Sequence, residues 1–418
     1  GAHRDLHSFP TRRSSDLASL AEGDTVRFAG TYGGGPFSVV TAGPLGASGP
    51  ARGVSLPDYD GDGDPDLLVT QYNAPSRLLR NDGGTFVEVA VAPFTDALPA
   101  TAAAWADFDN DGDLDAYLAL DGQANRLLLN SGGPFTDVAA ASLVADAGAA
   151  RAAAWADYDV DGKLDLLVVN DAADNKLYRG FGDPGIGRWL FFDVSPSGGD
   201  TGHDVAAAWA DYDADGDPDY YLSYRYAPNK LLQNNGTYGF WDMAGSGSLA
   251  DPGPGQGVAW GDYDGDGDLD LYLANDGSPD VLLANDHEAF SLVIGDPLGD
   301  TGRGRCPAWG DWDNDGDLDL YVTRQNQPDL FLRNDGAGGF VSVPPGWAPT
   351  DGNGAGCAWG DVDEDGDLDL YLANDGGPGA LLVNGNQGNG NHWLAIDLVG
   401  VTANRSAVGA GVRVVAGG

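Results

Sequence analysis

Carboxylates at alternate positions, bent round a central glycine, make a hard-oxygen donor set suited to calcium. The stretch 262–270, DYDGDGDLD, has this form and lies directly ahead of the apolar run Leu271-Tyr272-Leu273. It recurs, with first aspartates at Asp58, Asp107, Asp157, Asp211, Asp262, Asp311 and Asp361, in steps of 49, 50, 54, 51, 49 and 50 residues. Numbered 1 to 9, all seven loops carry Asp at positions 1, 3, 5 and 9 and Gly at position 6. The expected side-chain ligands beyond position 1 are Asp60, Asp62 and Asp66; Asp109, Asp111 and Asp115; Asp159, Asp161 and Asp165; Asp213, Asp215 and Asp219; Asp264, Asp266 and Asp270; Asp313, Asp315 and Asp319; and Asp363, Asp365 and Asp369. Position 7 is expected to lend only its backbone carbonyl, from Asp64, Asp113, Lys163, Asp217, Asp268, Asp317 and Asp367. A carbonyl ligand tolerates the lysine.

Charge that serves only solubility need not hold position, whereas all 28 side-chain slots do. An EF-hand would place Glu at position 12; here Val69, Leu118, Val168, Leu222, Leu273, Val322 and Leu372 stand there. A flexible loop of this kind does not suit Mg²⁺, which keeps most of its waters. Up to seven Ca²⁺ are expected, which would take the formal charge of −43 to −29. Their purpose is structural: crowded carboxylates repel one another strongly where the dielectric is low.

The elements that must hold these loops repeat with them. After a Gly/Pro-rich connection, copies two to seven carry a small-residue run ending in Trp, such as AAAWAD or GVAWGD; the first has GVSLPD. The loop follows, then an apolar run such as LDLYLAN, then a short run such as NRLLLNSG, then a phenylalanine-led segment. Those segments are FSVV at 37, FVEV at 86, FTDV at 135, FDV at 192, FWDM at 240, FSLV at 290 and FVSV at 340. Four short β-like runs per unit of about 50 residues, separated by turn residues, predict a radial array of four-stranded sheets. With the strands lettered A (ending in Trp) to D (led by Phe), strand A is innermost, hence its Ala and Gly, and its Trp fills space between neighbours. Phe37–Val40 is expected to complete the last sheet, whose other strands lie near 355–383.

The chain is acidic, with 64 Asp and Glu against 21 Lys and Arg. That argues against nucleic acid and anionic membranes as partners, since both need basic surface. No run of 18 apolar residues occurs. Residues 1–17 differ from the rest, and His7 to Leu17, HSFPTRRSSDL, resembles a translated sequencing adapter. Cys306 and Cys357 precede their loops in neighbouring units and could be bridged or be buried free thiols. Asn235-Gly236-Thr237 and Asn404-Arg405-Ser406 fit the glycosylation pattern.

The combination of Trp, Asp loop and apolar run, seven times at this spacing, resembles the FG-GAP/VCBS repeats of integrin-α-like propellers over residues 37 to about 385. Residues 391–414, NHWLAIDLVGVTANRSAVGAGVRV, resemble the start of the ASPIC/UnbV domain through Asn391-His392-Trp393-Leu394, Asn404-Arg405 and Gly409. These resemblances imply an all-β chain: a seven-bladed β-propeller over 18–385, with a calcium loop in each A–B hairpin, then a truncated ASPIC/UnbV segment over 386–418. They also imply a secreted or cell-surface interaction or adhesion module, monomeric, that binds a protein or glycan on the face opposite the calcium loops. Tyr72, Tyr226, Arg324 and Trp347 fall in the connections of that face. The alternative is an enzyme, a polysaccharide lyase or a natural-product tailoring enzyme. No nucleophile with a paired base is visible, and His203, His287 and His392 are scattered without metal-ligand spacing. A base outside the repeat pattern on the B–C/D–A face would favour the enzyme.

Overall fold

The computed structural model describes residues 37–385, apart from 184–187, 196–201, 237–238, 246, 296, 300, 337–338 and 344–351. Trp347, the adapter-like segment, His392 and the ASPIC/UnbV-like stretch therefore lie outside the described residues.

The described residues are almost wholly β. Antiparallel pairing runs A to B to C to D within each repeat, as in Gly255–Gly261, Asp270–Asn275, Val281–Asp286 and Ala289–Val293. Ser38–Val40 pairs with Ala380–Val383, so the first described strand completes the last set as expected. The sets are not all separate. Strand B of the first repeat, Leu67–Pro75, runs on to pair with Ala97–Ala106, and Asp369–Pro378 likewise pairs with Ser48–Ser55. Three sets thus merge into a twelve-stranded sheet, beside four separate four-stranded sheets.

Each strand A lies against the A strands before and after it, and the last, Gly354–Gly360, lies against the first, Ser48–Ser55. The close approach explains the small residues. A Cβ on Gly257 would fall 2.0 Å from the carbonyl oxygen of Arg305 on the next A strand. Every A strand also breaks register once near its start, as between Gly255 and Gly257.

The strand-A tryptophans lie between sets. Indole N–H groups of Trp155, Trp209, Trp260 and Trp359 donate to carbonyls of Ala104, Ala154, Ala208 and Ala308 on the preceding A strand, at 3.2–3.4 Å. Their rings stack on the aromatic at loop position 2 of the preceding set: Phe108 on Trp155, Tyr212 on Trp260 and Tyr263 on Trp309. The phenylalanine-led segments supply the outer strands, with one correction. In the third set Phe191 is buried against Trp155, while Phe192, the residue expected there, is 47% exposed. Side chains alternate faces along a strand, so a one-residue shift exchanges inside for outside.

Cys306 and Cys357 are free thiols, each Sγ near the other's carbonyl oxygen at 3.5 and 3.2 Å. No helix among the described residues is long and apolar enough to cross a membrane.

Candidate metal loops and the opposite face

The nine-residue loops join A to B at one end of the sets, and each is wired in the same way. Position 1 accepts the N–H groups of positions 5 and 6 on its two oxygens; for Asp262 these are Asp266 and Gly267, both at 3.1 Å. Position 5 accepts the N–H of position 7, as Asp266 does from Asp268 at 2.9 Å. Position 9 accepts two further N–H groups: Asp270 takes those of Tyr263 at 3.0 Å and of Asn285, on strand C, at 2.8 Å. All seven loops repeat this set. The glycine at position 6 has φ between 84° and 106° throughout, a conformation that favours glycine. Position 4 is left-handed as well, at Gly61, Asn110, Val160, Ala214, Gly265, Asn314 and Glu364, which alternation of aspartates did not reveal.

The geometry divides the expected ligands. Carboxylate oxygens of positions 1, 3 and 9 come within 4.8 Å of one another in Asp107/Asp109/Asp115, Asp157/Asp159/Asp165 and Asp211/Asp213/Asp219; in the first loop Asp58, Asp60 and Asp62 do so. Position 3 takes no part in the shared hydrogen bonds and faces other carboxylates. Burial, then the charge of Asp111 or Asp315, pushes Asp109 and Asp313 up to about 6. Position 9 is fully buried. Burial outweighs its two N–H bonds and raises Asp66 and Asp270 to about 7, Asp165, Asp219, Asp319 and Asp369 to about 8, and Asp115 to about 9. A carboxylate cage whose members resist ionising together fits a divalent cation, which would relieve both burial and repulsion.

At position 7, expected to lend only a carbonyl, the side chain is engaged as well. Asp64 and Asp268 accept N–H groups of Gly83 and His287 in the C–D turns of their own sets, at 2.7 and 2.9 Å. Asp367 accepts the amide of Asn314 from the neighbouring loop at 2.7 Å. His287, scattered in sequence, comes into a group with Asp268 and Asp286.

A second repeated contact carried no recognisable motif. The asparagine fifteen residues after position 9 sends its side-chain amide to the position-2 carbonyl of the preceding set: Asn130 to Tyr59, Asn234 to Tyr158, Asn285 to Tyr212, Asn334 to Tyr263 and Asn384 to Trp312, at 2.7–2.9 Å. Asn81 does the same to Val362, tying first set to last at 2.7 Å. The third repeat has Gly180, where a Cβ would meet the Leu164 carbonyl oxygen at 2.2 Å. The fixed spacing of these asparagines was the available signal. Replacing Asn334 by Ala is expected to cost about 1–3 kcal/mol, because the buried carbonyl of Tyr263 and the partly buried one of Leu318 lose their donor. Chemical denaturation should show that loss equally with calcium and with chelator.

At the other end of the sets, the B–C turns and the starts of strand A gather a different chemistry. His203 Nδ1 lies 2.7 Å from Asp171 Oδ1, and Arg151 holds the other Asp171 oxygen at 2.7 Å. Tyr226, 73% exposed, meets the His203 ring edge-on at 5.0 Å. Further round, Arg52 pairs with Asp375 at 2.7 Å and lies over the Tyr72 ring, whose hydroxyl donates to Asp121. Arg303 pairs with Asp276. Of the residues expected to recognise a ligand, Tyr72 and Tyr226 stand at this end. Arg324 does not present itself: it is buried, with Nη1 3.5 Å from the Pro328 carbonyl oxygen of its own turn.

Four-stranded antiparallel sheets set side by side, with inner strands in mutual contact and a loop at one end of each, define the β-propeller class. Within it, the chain belongs to the FG-GAP-like repeat family, matched over residues 58–118, 116–168, 157–222, 211–273 and 311–372. No curated protein matches the sequence. Among solved structures it is similar to the BP39L lectin from Burkholderia pseudomallei, with 16% identity and a TM-score of 0.60 over 84% of this chain and 100% of that one. YCF48 from Cyanidioschyzon merolae gives 9% identity and a TM-score of 0.52 over 84% and 99% of the two chains. BBS1N, crystallised in complex with ARL6DN, gives 10% and 0.50 over 85% and 97%. At these identities the likeness is one of fold.

Proposed function

We propose that the chain is a calcium-stabilised, seven-bladed propeller that serves outside the cell as an interaction module and recognises a protein or glycan at the end opposite its aspartate loops. Calcium in the loops does a structural job, because their carboxylates are already committed to the hairpins that they close. The observation that carries recognition is the cluster of His203, Asp171, Arg151 and Tyr226, in which His203 and Tyr226 are particular to this set and leave a large aromatic exposed beside charged groups. Exposed aromatics with polar neighbours suit both sugar and protein contacts. The ASPIC/UnbV resemblance of residues 391–414 agrees with a secreted protein. The lectin among the fold's neighbours is compatible with a glycan ligand. The test is a glycan and protein array probed in calcium and in chelator, with Tyr226→Ala alongside. Retention in calcium, lost with the variant, supports the reading; no retention in calcium, or full retention by Tyr226→Ala, overturns it.

One observation favours the enzymatic alternative. His203 is a base outside the repeat, oriented by Asp171, on the end where a catalytic residue was expected to stand. Uronate-containing polysaccharides, assayed for chain cleavage with the protein and with His203→Gln, separate the two readings: cleavage that the variant loses makes the site catalytic.

A further inference from the structure

The third loop differs from the other six in its charge. Position 7 is Lys163, whose Nζ lies 2.9 Å from Asp161 Oδ2. Arg179 on strand C reaches the same Asp161 oxygen at 3.0 Å and also pairs with Asp159. Residues at the Arg179 position elsewhere do less. It is Leu129 in the second set, Ala284 in the fifth and Val383 in the seventh. Gln233 bonds Asp213 without bringing charge, Arg80 pairs instead with Asp82, and Arg333 stays 3.9 Å from Asp313. The third loop therefore carries four carboxylates and two contacting cations, a sum of −2, where the fifth carries five carboxylates and meets only the His287 imidazole, a sum of −5 with that ring neutral.

Neighbouring departures explain how this arose. In the first and fifth sets the position-7 aspartate pins a tight C–D turn that closes at Asp82–Thr85 or Asp286–Ala289. In the third, strands Lys176–Asp183 and Arg188–Asp193 pair from Tyr178–Asp193 to Asp183–Arg188, two residues further along strand C than in the first and fifth sets. At Gly182, the counterpart of Gly83 and His287, the third set still has paired strands, Gly182 facing Trp189, where the first and fifth sets offer a turn N–H to position 7. Position 4, left-handed in every loop, is here the β-branched Val160 at φ 54°.

We propose that Lys163 and Arg179 take the place of the divalent ion in the third loop, so that this set is held by internal cations while the other six bind calcium. The aspartates keep their positions, with Asp157, Asp159 and Asp165 still clustered; Lys163 and Arg179 already offset two of the loop's four charges, as a divalent ion would. This rests on the calcium reading of the other loops. The test counts bound calcium by elemental analysis and titration calorimetry on the whole chain at saturating free calcium. Wild type is expected to bind six ions, Asp264→Ala five and Asp159→Ala six, while Lys163→Asp combined with Arg179→Leu binds seven. Seven ions in wild type, or a loss of one on Asp159→Ala, overturns the proposal. A melt in chelator supplies an independent readout. Arg179→Leu should lower the metal-free melting temperature by several degrees and Arg333→Leu should not; equal shifts overturn the proposal even if no loop binds calcium, a result that would by itself remove the calcium reading.

Discussion

Removing calcium at pH 7.5 is expected to lower the melting temperature by about 20 °C. Each ion held at about 100 times its dissociation constant adds at most about 2.7 kcal/mol, so six together add up to about 16. Unfolding entropy of about 2.1 cal/mol/K per residue gives roughly 0.7 kcal/mol/K for a propeller of roughly 350 residues, and the ratio sets the shift. The dependence on pH has a definite sign. The position-9 carboxylates stand at about 7 to 9 in the metal-free fold against 3.8 unfolded. The metal-free fold thus holds protons that the unfolded chain has released, and its stability falls as pH rises from about 4 through about 8. A divalent ion close to these carboxylates favours their charged form without having to be bound by them, so its stabilising increment grows over the same range. Melts from pH 5 to 8.5, with calcium and with chelator, should diverge as pH rises. Coincident curves would leave the loops without a bound ion.

The second large effect separates aspartates that the sequence treats alike. Asp270→Ala is expected to cost about 3–5 kcal/mol in calcium and in chelator alike. It strands two buried N–H groups, those of Tyr263 and Asn285, at about 1–3 kcal/mol each. Asp264→Ala removes a side chain that sits among like charges and takes no part in the shared bonds. Without metal it should be neutral or mildly stabilising; with calcium it should forfeit one ion's contribution, about 2.7 kcal/mol at most. Urea denaturation of both variants under both conditions tests the division. Equal calcium dependence for the two would mean that position 9 acts as a ligand before it acts as a pin.

This division shows where the sequence stopped. Its 50-residue period, its Trp-Ala-Asp boundaries and its phenylalanine-led segments contain the strand order, because alternation and turn chemistry are local properties. Closure by Ser38–Val40 was legible too, since a D-type strand at the start had one unfilled place to go. The donor pattern of the loops was equally local. What lay outside the sequence were contacts between residues far apart in it. Asn81 reaches Val362, Trp155 reaches Ala104, and Asp270 divides its oxygens between its own loop and strand C. Arg324 looked exposed in its connection yet is buried, because it ends strand Asp319–Arg324 and pairs with Gly304, so the connection begins only after it.

The sequence by itself thus determined the repeat, through its 50-residue period, and the strands and the loops that could bind metal, through patterns over fewer than ten residues. Tertiary structure alone decided which carboxylates remain for an ion, that Lys163 and Arg179 meet one loop with their own charge, and that His203, Asp171, Arg151 and Tyr226 share the opposite end. The reason is physical: charge and hydrogen bonding act through space over a few ångströms, and only the folded chain fixes which groups come that close.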